Sequence, residues 1–346
     1  MKVYYNSSLW SKGRGLWGWP QRVNWQFDYT GAKRYIPAIY RFSKGIAFDV
    51  ITILDEEKLK KFLERNEIAE GKKLSPLQKR LIEQEHPCQD LAISRIWING
   101  KQVLGGYSSS YRICIPWLEQ EEALKPVRRA YSFILKDSTP FACQRYSVPY
   151  PETDSKYQKL LRLLRLEKVK SIRLSTFPVK RLYPLDIRFK MSAGEREKEI
   201  HFIHPVTGTQ HKLYLQNASS IKVPLGEALK RDLYIMQAMY EIEPALPQSD
   251  SLQFDSSFQY TEEPEVLGDI YSPSAVASIG IIGGADGPTS IFISSKESGK
   301  TVPCGMHGLP LHSCYSVPSF QKENASLFHL EGINTILYDS EEFNLQ

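Results

Sequence analysis

The sequence predicts a strand-rich α+β protein built from hairpins and antiparallel sheets, with helices at their periphery. Three observations carry that expectation. Residues 45–54, GIAFDVITIL, are an apolar run of strand length. Two hairpin signals follow: Asn99-Gly100 between apolar segments, and Pro205-Val206-Thr207-Gly208 between Glu199–Ile203 and Gln210–Leu215. Asn-Gly suits a two-residue turn because both of its positions need φ > 0. Nineteen Tyr and six Trp favour strands and half-buried surfaces.

Residues 1–40 carry Trp10, Trp17, Trp19 and Trp25 among Lys12, Arg14 and Arg22. Aromatic rings between cations can stack bases or sugars, or sit at a membrane interface. The plainer reading is an irregular lid whose rings cap a core. After the strand at 45–54, Asp55-Glu56-Glu57 open a charged helix to Arg65, with acidic residues at the positive end of its dipole. Leu59, Phe62 and Leu63 give it one apolar stripe. Ser75-Pro76 starts a second helix, which stops before Pro87. Ile93–Ile98 alternates, turns at Asn99-Gly100 and resumes at Gln102–Leu104; Tyr111–Ile115 is a further strand. Arg128–Leu135 fits helix or strand.

Pro140, Pro149 and Pro151 mark residues 136–153 as a domain boundary. Asp154 then caps a basic amphipathic helix, with Leu160, Leu161, Leu163, Leu164 and Leu166 on one side and Lys156, Lys159, Arg162, Arg165 and Lys168 on the other. Such a helix is a surface helix with a solvated face, or lies on a membrane or on phosphate backbone. Ile172–Leu174 and Leu185–Met191 read as strands. A turn at 205–208 sets His211 opposite Phe202 rather than His201, so His201, His204 and His211 do not converge on a metal. A helix is expected from Glu227 to Glu243, with Leu229, Leu233, Met236 and Tyr240 on one face. Residues 244–273 contain six acidic residues and no basic ones, and read as a linker or extended arm that Phe254, Phe258 and Tyr260 pin in place. Ser326–Tyr338 supplies one or two closing strands. The expected organisation is an N-terminal α+β domain at 1–150, a hairpin-plus-helix domain at 154–243, the acidic linker, and a C-terminal segment at 274–346.

The chain has 346 residues, 42% hydrophobic and 24% charged, as in ordinary soluble globular proteins. Its net charge of +5 is too mild to argue for nucleic acid. No apolar run approaches the roughly 18–20 residues that span a bilayer. The N-terminus lacks a signal-peptide apolar core, and five cysteines do not suggest a disulfide scaffold. A cytoplasmic location is expected.

The sharpest sequence signature is Ser278–Lys296, SIGIIGGADGPTSIFISSK, in which a Gly-rich turn separates two apolar runs. It reads as two buried elements joined by a tight turn, with Asp286 bonding its own backbone. Alternatively it is a nest whose N–H groups hold an anion, or whose Asp286 and carbonyls hold a cation. The glycine spacing does not fit a dinucleotide fingerprint. Gly283-Gly284-Ala285-Asp286-Gly287-Pro288-Thr289 resembles the hallmark of the beta subunit of sodium-translocating decarboxylases. The resemblance covers residues 278–296. It implies a sodium or small-carboxylate site at Gly283, Gly284, Asp286, Gly287 and Thr289, with Asp286 in the sodium-binding role.

Cys304, His307, His312 and Cys314 bring four soft ligands into eleven residues, with Gly and Pro between them. Zinc takes four tetrahedral N and S ligands, and Cys304 with His307 is a suitable first pair. The alternatives are a Gly/Pro loop with incidental thiols, or a Cys–His nucleophile pair. No paired carboxylates, serine triad or phosphate loop passes the spacing tests. The expected function is that of a soluble bacterial-type binding or scaffolding protein with a protein or small-molecule partner. Sodium or carboxylate binding at Gly283–Thr289, and a zinc-stabilised interaction module, are the alternatives.

Overall fold

The computed structural model describes residues 1–5, 9, 15–67, 74–118, 124–224, 232–255 and 303–346. Among the described residues sixteen strands stand against four short helices, and the strands form four antiparallel sheets. The strand-rich expectation holds, and the balance is mostly β rather than an even α+β mixture. Two compact units result: Met1–Leu74 with Lys79–Val179 and Leu337–Gln346, and Ser75–Gln78 with Lys180–Ile336.

The first unit is built on a five-stranded sheet, ordered β1 (Trp19–Tyr29), β2 (Ala32–Arg41), β3 (Gly45–Ile53), β7 (Phe141–Pro149), β6 (Ser108–Cys114). A four-stranded sheet covers one face, ordered β16 (Glu342–Leu345), β8 (Ile172–Thr176), β4 (Ile93–Ile98), β5 (Lys101–Gln102). Phe27, Ile36, Phe48 and Tyr146 from the first sheet meet Ile96, Ile172 and Leu174 from the second. On the opposite face Tyr40, Ala47, Ile51 and Cys143 pack against Val127 of α3 (Lys125–Ala130) and against Val3 and Leu9. Because β3 is covered on both faces, it is apolar almost throughout rather than alternating.

Asp49 is the exception in that run. It is fully buried, directly opposite Arg145 on β7, and Arg145 Nε donates to its Oδ1 over 2.7 Å. Tyr131 Oη donates to the other carboxylate oxygen over 2.8 Å. Burial works against the Arg145 charge, but Asp49 outweighs it and holds the guanidinium above its ordinary value.

Local turn chemistry is realised as expected. Asn99 and Gly100 both have positive φ, and β4 pairs with β5 across them. Asp55 caps α1 (Glu56–Glu67) by accepting from Lys58 N, and Ser75 and Gln78 form a reciprocal capping box at α2 (Pro76–Gln84). The proline-bearing stretch at 136–153 is no boundary between sheets. It contains β7, the strand between β3 and β6, with Pro140 just before it and Pro149 as its last residue.

The second unit is a sandwich. One sheet is ordered β10 (Glu197–Ile203), β11 (Gln210–Pro224), β12 (Asp232–Glu243), β14 (His312–Tyr315). The other is ordered β13 (Asp250–Phe254), β15 (Ala325–Tyr338), β9 (Val179–Ser192). Phe202, Leu213, Met236 and Ala238 face Phe189, Phe328, Leu330 and Ile333. Residues 232–243 are therefore strand and not the expected helix; the rest of that expected helix, 227–231, lies outside the described residues. Met236, Ala238, Tyr240 and Ile242 enter the core at a period of two, and full-length pairing with β11 settles the choice. The acidic stretch contributes β13, and strands from both sides of it share this sandwich, so 154–243 and 274–346 do not form separate sheets. Phe202 pairs with His211, as the turn at 205–208 requires.

Replacing Asp49 by Asn leaves a buried guanidinium uncompensated. Urea denaturation should show the variant destabilised by about 3–5 kcal/mol, with an unchanged m-value.

Candidate interaction surface

α4 spans Lys156–Leu163 and is capped by Ser155, whose hydroxyl accepts from Gln158 N. Its leucines were expected to form one side of a surface helix with a solvated face, or of a helix lying on a membrane or on phosphate backbone. The structure turns four of the five outward: Leu160 is 52% exposed and Leu163 67%, with Leu164 and Leu166 also exposed, as is Tyr157 at 69%, while Leu161 is half-buried. The residue that points inward is Arg162, 9% exposed. Its Nε lies 2.5 Å from Glu167 Oε2, its Nη1 donates to Pro151 O over 2.7 Å, and its guanidinium stacks 4.6 Å over the Tyr150 ring.

The helix ends in a tight reversal. Leu166 N donates to Leu161 O and Arg165 N to Arg162 O, with Arg165 at φ +58. Glycine usually occupies this left-handed position, and a larger residue there costs roughly 1–2 kcal/mol. Arg165 takes up the strain while its Nη1 donates to Trp17 O over 3.1 Å. Arg41 donates to Leu166 O and Glu167 O, and Gln21 exchanges hydrogen bonds with Val169. These bonds tie Arg165 and Val169 to Trp17 and Gln21, and Leu16, Trp17 and Trp19 are exposed. Lys2 Nζ sits 4.7 Å over the Trp17 ring. Between Lys156 and Lys168 the sequence has five cations and one carboxylate, Glu167, which Arg162 occupies. Glu152 and Asp154 precede the helix. Trp10, Lys12 and Arg14 lie outside the described residues.

The sequence-expected sites fare differently. Gly283, Gly284, Asp286, Gly287 and Thr289 lie outside the described residues. Cys304, His307, His312 and Cys314 are placed, but among the described residues no three of them approach within metal-ligand range. Cys314 is buried in the sandwich core, and burial pushes its thiol well up. His312 stacks on Tyr240 and Cys304 is exposed.

A carboxylate holds this loop. Glu241 on β12 is fully buried and accepts from His307 N over 3.1 Å, Leu309 N over 2.9 Å and Gln216 Nε2 over 2.7 Å. The His307 ring stacks 3.9 Å from the Tyr214 ring, with Nε2 2.7 Å from Glu197 Oε1. Gly305 is obligatory here, since a Cβ would lie 2.2 Å from Glu241 Cδ. Burial alone would raise the Glu241 pKa, but the amides of His307 and Leu309, with Gln216, hold it below the ordinary carboxylate value. The sequence held one sign of this: glycines at 305 and 308 within a short loop, the second at φ +75.

His204 and His211 are buried for structural reasons. His204 Nδ1 accepts from Val206 N and Thr207 N, which leaves Nε2–H to donate to Asp250 Oδ2 over 2.9 Å. His211 Nδ1 donates to Pro244 O over 2.7 Å.

Comparison of the chain with protein-family models, curated proteins and solved structures returned no match.

The depressed Glu241 pKa contributes stability that is present above the unfolded carboxylate value and lost as pH falls through the folded one. Glu241→Gln places an NH2 among three donors and should cost about 1.5–3 kcal/mol at neutral pH. Chemical denaturation across the acid range should show wild type losing this advantage as the carboxyl protonates, while the variant shows no matching loss.

Proposed function

We propose that this chain is a binding protein whose first unit docks on an anionic phospholipid surface through the outward face of α4 together with Trp17 and Trp19. The supporting observation is the orientation of α4, which keeps Arg162 inside and sets Tyr157, Leu160, Leu163 and Leu164 outside. An interfacial helix needs leucine and aromatic side chains on one face and Lys or Arg at its margins. Lys156 and Lys159 on α4, with Arg165 and Lys168 just beyond its end, supply the cations.

The magnitudes favour insertion over charge alone. A basic residue near an anionic leaflet contributes about 1 kcal/mol. A fully buried leucine contributes about 1.5–3 kcal/mol. The leucines and tryptophans therefore set the affinity, and the cations select the lipid. Among the described residues no helix is long and apolar enough to cross a membrane, so this mode of attachment lies along the surface. The cytoplasmic leaflet is the anionic one, which agrees with the location expected from the cysteine usage. A role for Gly283–Thr289 in binding sodium or a small carboxylate rests on its resemblance alone.

Cosedimentation with phosphatidylcholine vesicles, with and without phosphatidylserine, tests this reading. Wild type should partition onto the phosphatidylserine vesicles and more weakly at high salt. Leu160→Gln/Leu163→Gln should reduce partitioning at least about tenfold, the equivalent of 1.4 kcal/mol, with an unchanged melting temperature. Failure of wild type to bind phosphatidylserine vesicles refutes the lipid reading, and an acidic protein groove then becomes the fitting partner for this face.

A further inference from the structure

In the second unit, Asp255, His329 and Glu331 each bring one ligand atom within 4.8 Å of the others, and all three residues are buried. His329 and Glu331 stand two apart on β15, on the face opposite core residues Phe328 and Leu330. The ladder with β13 slips here: Gln253 pairs with Gly332 and Phe254 with Leu330, which leaves Glu331 as a bulge residue. A bulge re-aims a side chain out of the regular pleat. Asp255 follows β13 directly, and its N–H donates to His329 O over 2.8 Å. On the other side β15 lies close to β9, where a Cβ on Gly332 would come 2.1 Å from Tyr183 O. The three residues are thus carried by paired strands.

His329 Nε2 lies 2.8 Å from Asp186 Oδ1 on β9, and Asp186 lies 3.5 Å from Arg188. Asp186 accepts the Nε2 proton, so the neutral ring carries its lone pair on Nδ1. That atom is buried, has no hydrogen-bond partner, and sits 3.5 Å from Asp255 Oδ2. An orphaned buried imidazole nitrogen within ligand range of two carboxylate oxygens is the arrangement that a metal cation uses. A carboxylate on the far nitrogen of an imidazole is also the usual way of orienting a metal-ligating histidine.

We propose that Asp255, His329 and Glu331 hold a divalent transition-metal cation, with Asp186 as the positioning residue of the imidazole. Donor type selects the class, because an imidazole nitrogen with carboxylate oxygens suits zinc or manganese better than calcium or sodium. This site is separate from the surface of α4 and from the loop at Cys304.

The rival is a proton. Nδ1 would then carry hydrogen and the ring would be an imidazolium between Asp186 and Asp255, facing Glu331, with Arg188 opposing it. The two differ in sign with pH. A proton-held cluster is strongest below the unfolded histidine value and weakens as pH rises through the folded one. A metal needs the ring neutral, so its effect grows as pH rises.

The full chain, purified without chelator or metal resin, should carry about one equivalent of metal by elemental analysis. After chelation, zinc or manganese should raise its melting temperature, more so at higher pH. Glu331→Gln and Asp255→Asn should weaken binding at least about a hundredfold, and Asp186→Asn about 10–100-fold, the loss typical of an outer-shell partner. The proposal is overturned if wild type carries no metal and neither ion shifts its melting temperature, a measurement that does not depend on any variant folding. It is equally overturned if metal is present and both Glu331→Gln and His329→Gln retain it in full.

Discussion

Arg162 turns inward from α4, where Glu167, the Pro151 carbonyl and the Tyr150 ring take up its charge and its plane. On the same helix Leu160 and Leu163 stay exposed and Leu161 is half-buried. An amphipathic helix ordinarily gains most of its stability by burying its apolar stripe. Here much of the stripe stays outside, and each of its exposed leucines forgoes part of the about 1.5–3 kcal/mol that full burial contributes. A folded unit that leaves so much unrealised has a surface that gains by being covered. The ion pair accompanies this outward orientation, and the Arg165 reversal ties the end of the helix to the Trp17 carbonyl.

Buried carboxylates recur as local organisers. Asp49 joins two central strands through Arg145 and Tyr131. Glu241 gathers a loop by its backbone amides, in the manner of an anion resting in a nest. In each case the charge is held by donors that the fold aims at it, which is why removing one partner costs more than the pair contributes. Asp255 and Glu331 instead gather around the buried ring of His329.

The parts legible in the sequence were those set by neighbouring residues. Asn99-Gly100 fixed a turn through φ, Ser75 with Gln78 fixed a helix start, and the 205–208 turn fixed which residue faces His211. Features that depend on distant partners were not. Leu233, Met236 and Tyr240 satisfy a helical spacing, yet Met236 and Tyr240 are also four apart along a strand, and pairing with β11 decided between the two. The prolines near 140–151 suggested a break, but two of them sit at the ends of a central strand, where the ladder tolerates them. The inward turn of Arg162 was invisible because one of its partners is a main-chain carbonyl. The cluster at His329 left a faint mark, a histidine and a glutamate alternating with apolar residues in Phe328–Ile333. Asp255 is far away in sequence, and only the slipped ladder brings it near.

Four of the five thiols, those of Cys88, Cys114, Cys143 and Cys314, are shut inside the two units, and Cys304 alone is open to solvent. It adjoins Gly305, whose missing side chain makes room for Glu241. A maleimide dye added to the folded chain would therefore attach at a single place, beside the clasp, and its emission would report the opening of that loop independently of unfolding elsewhere.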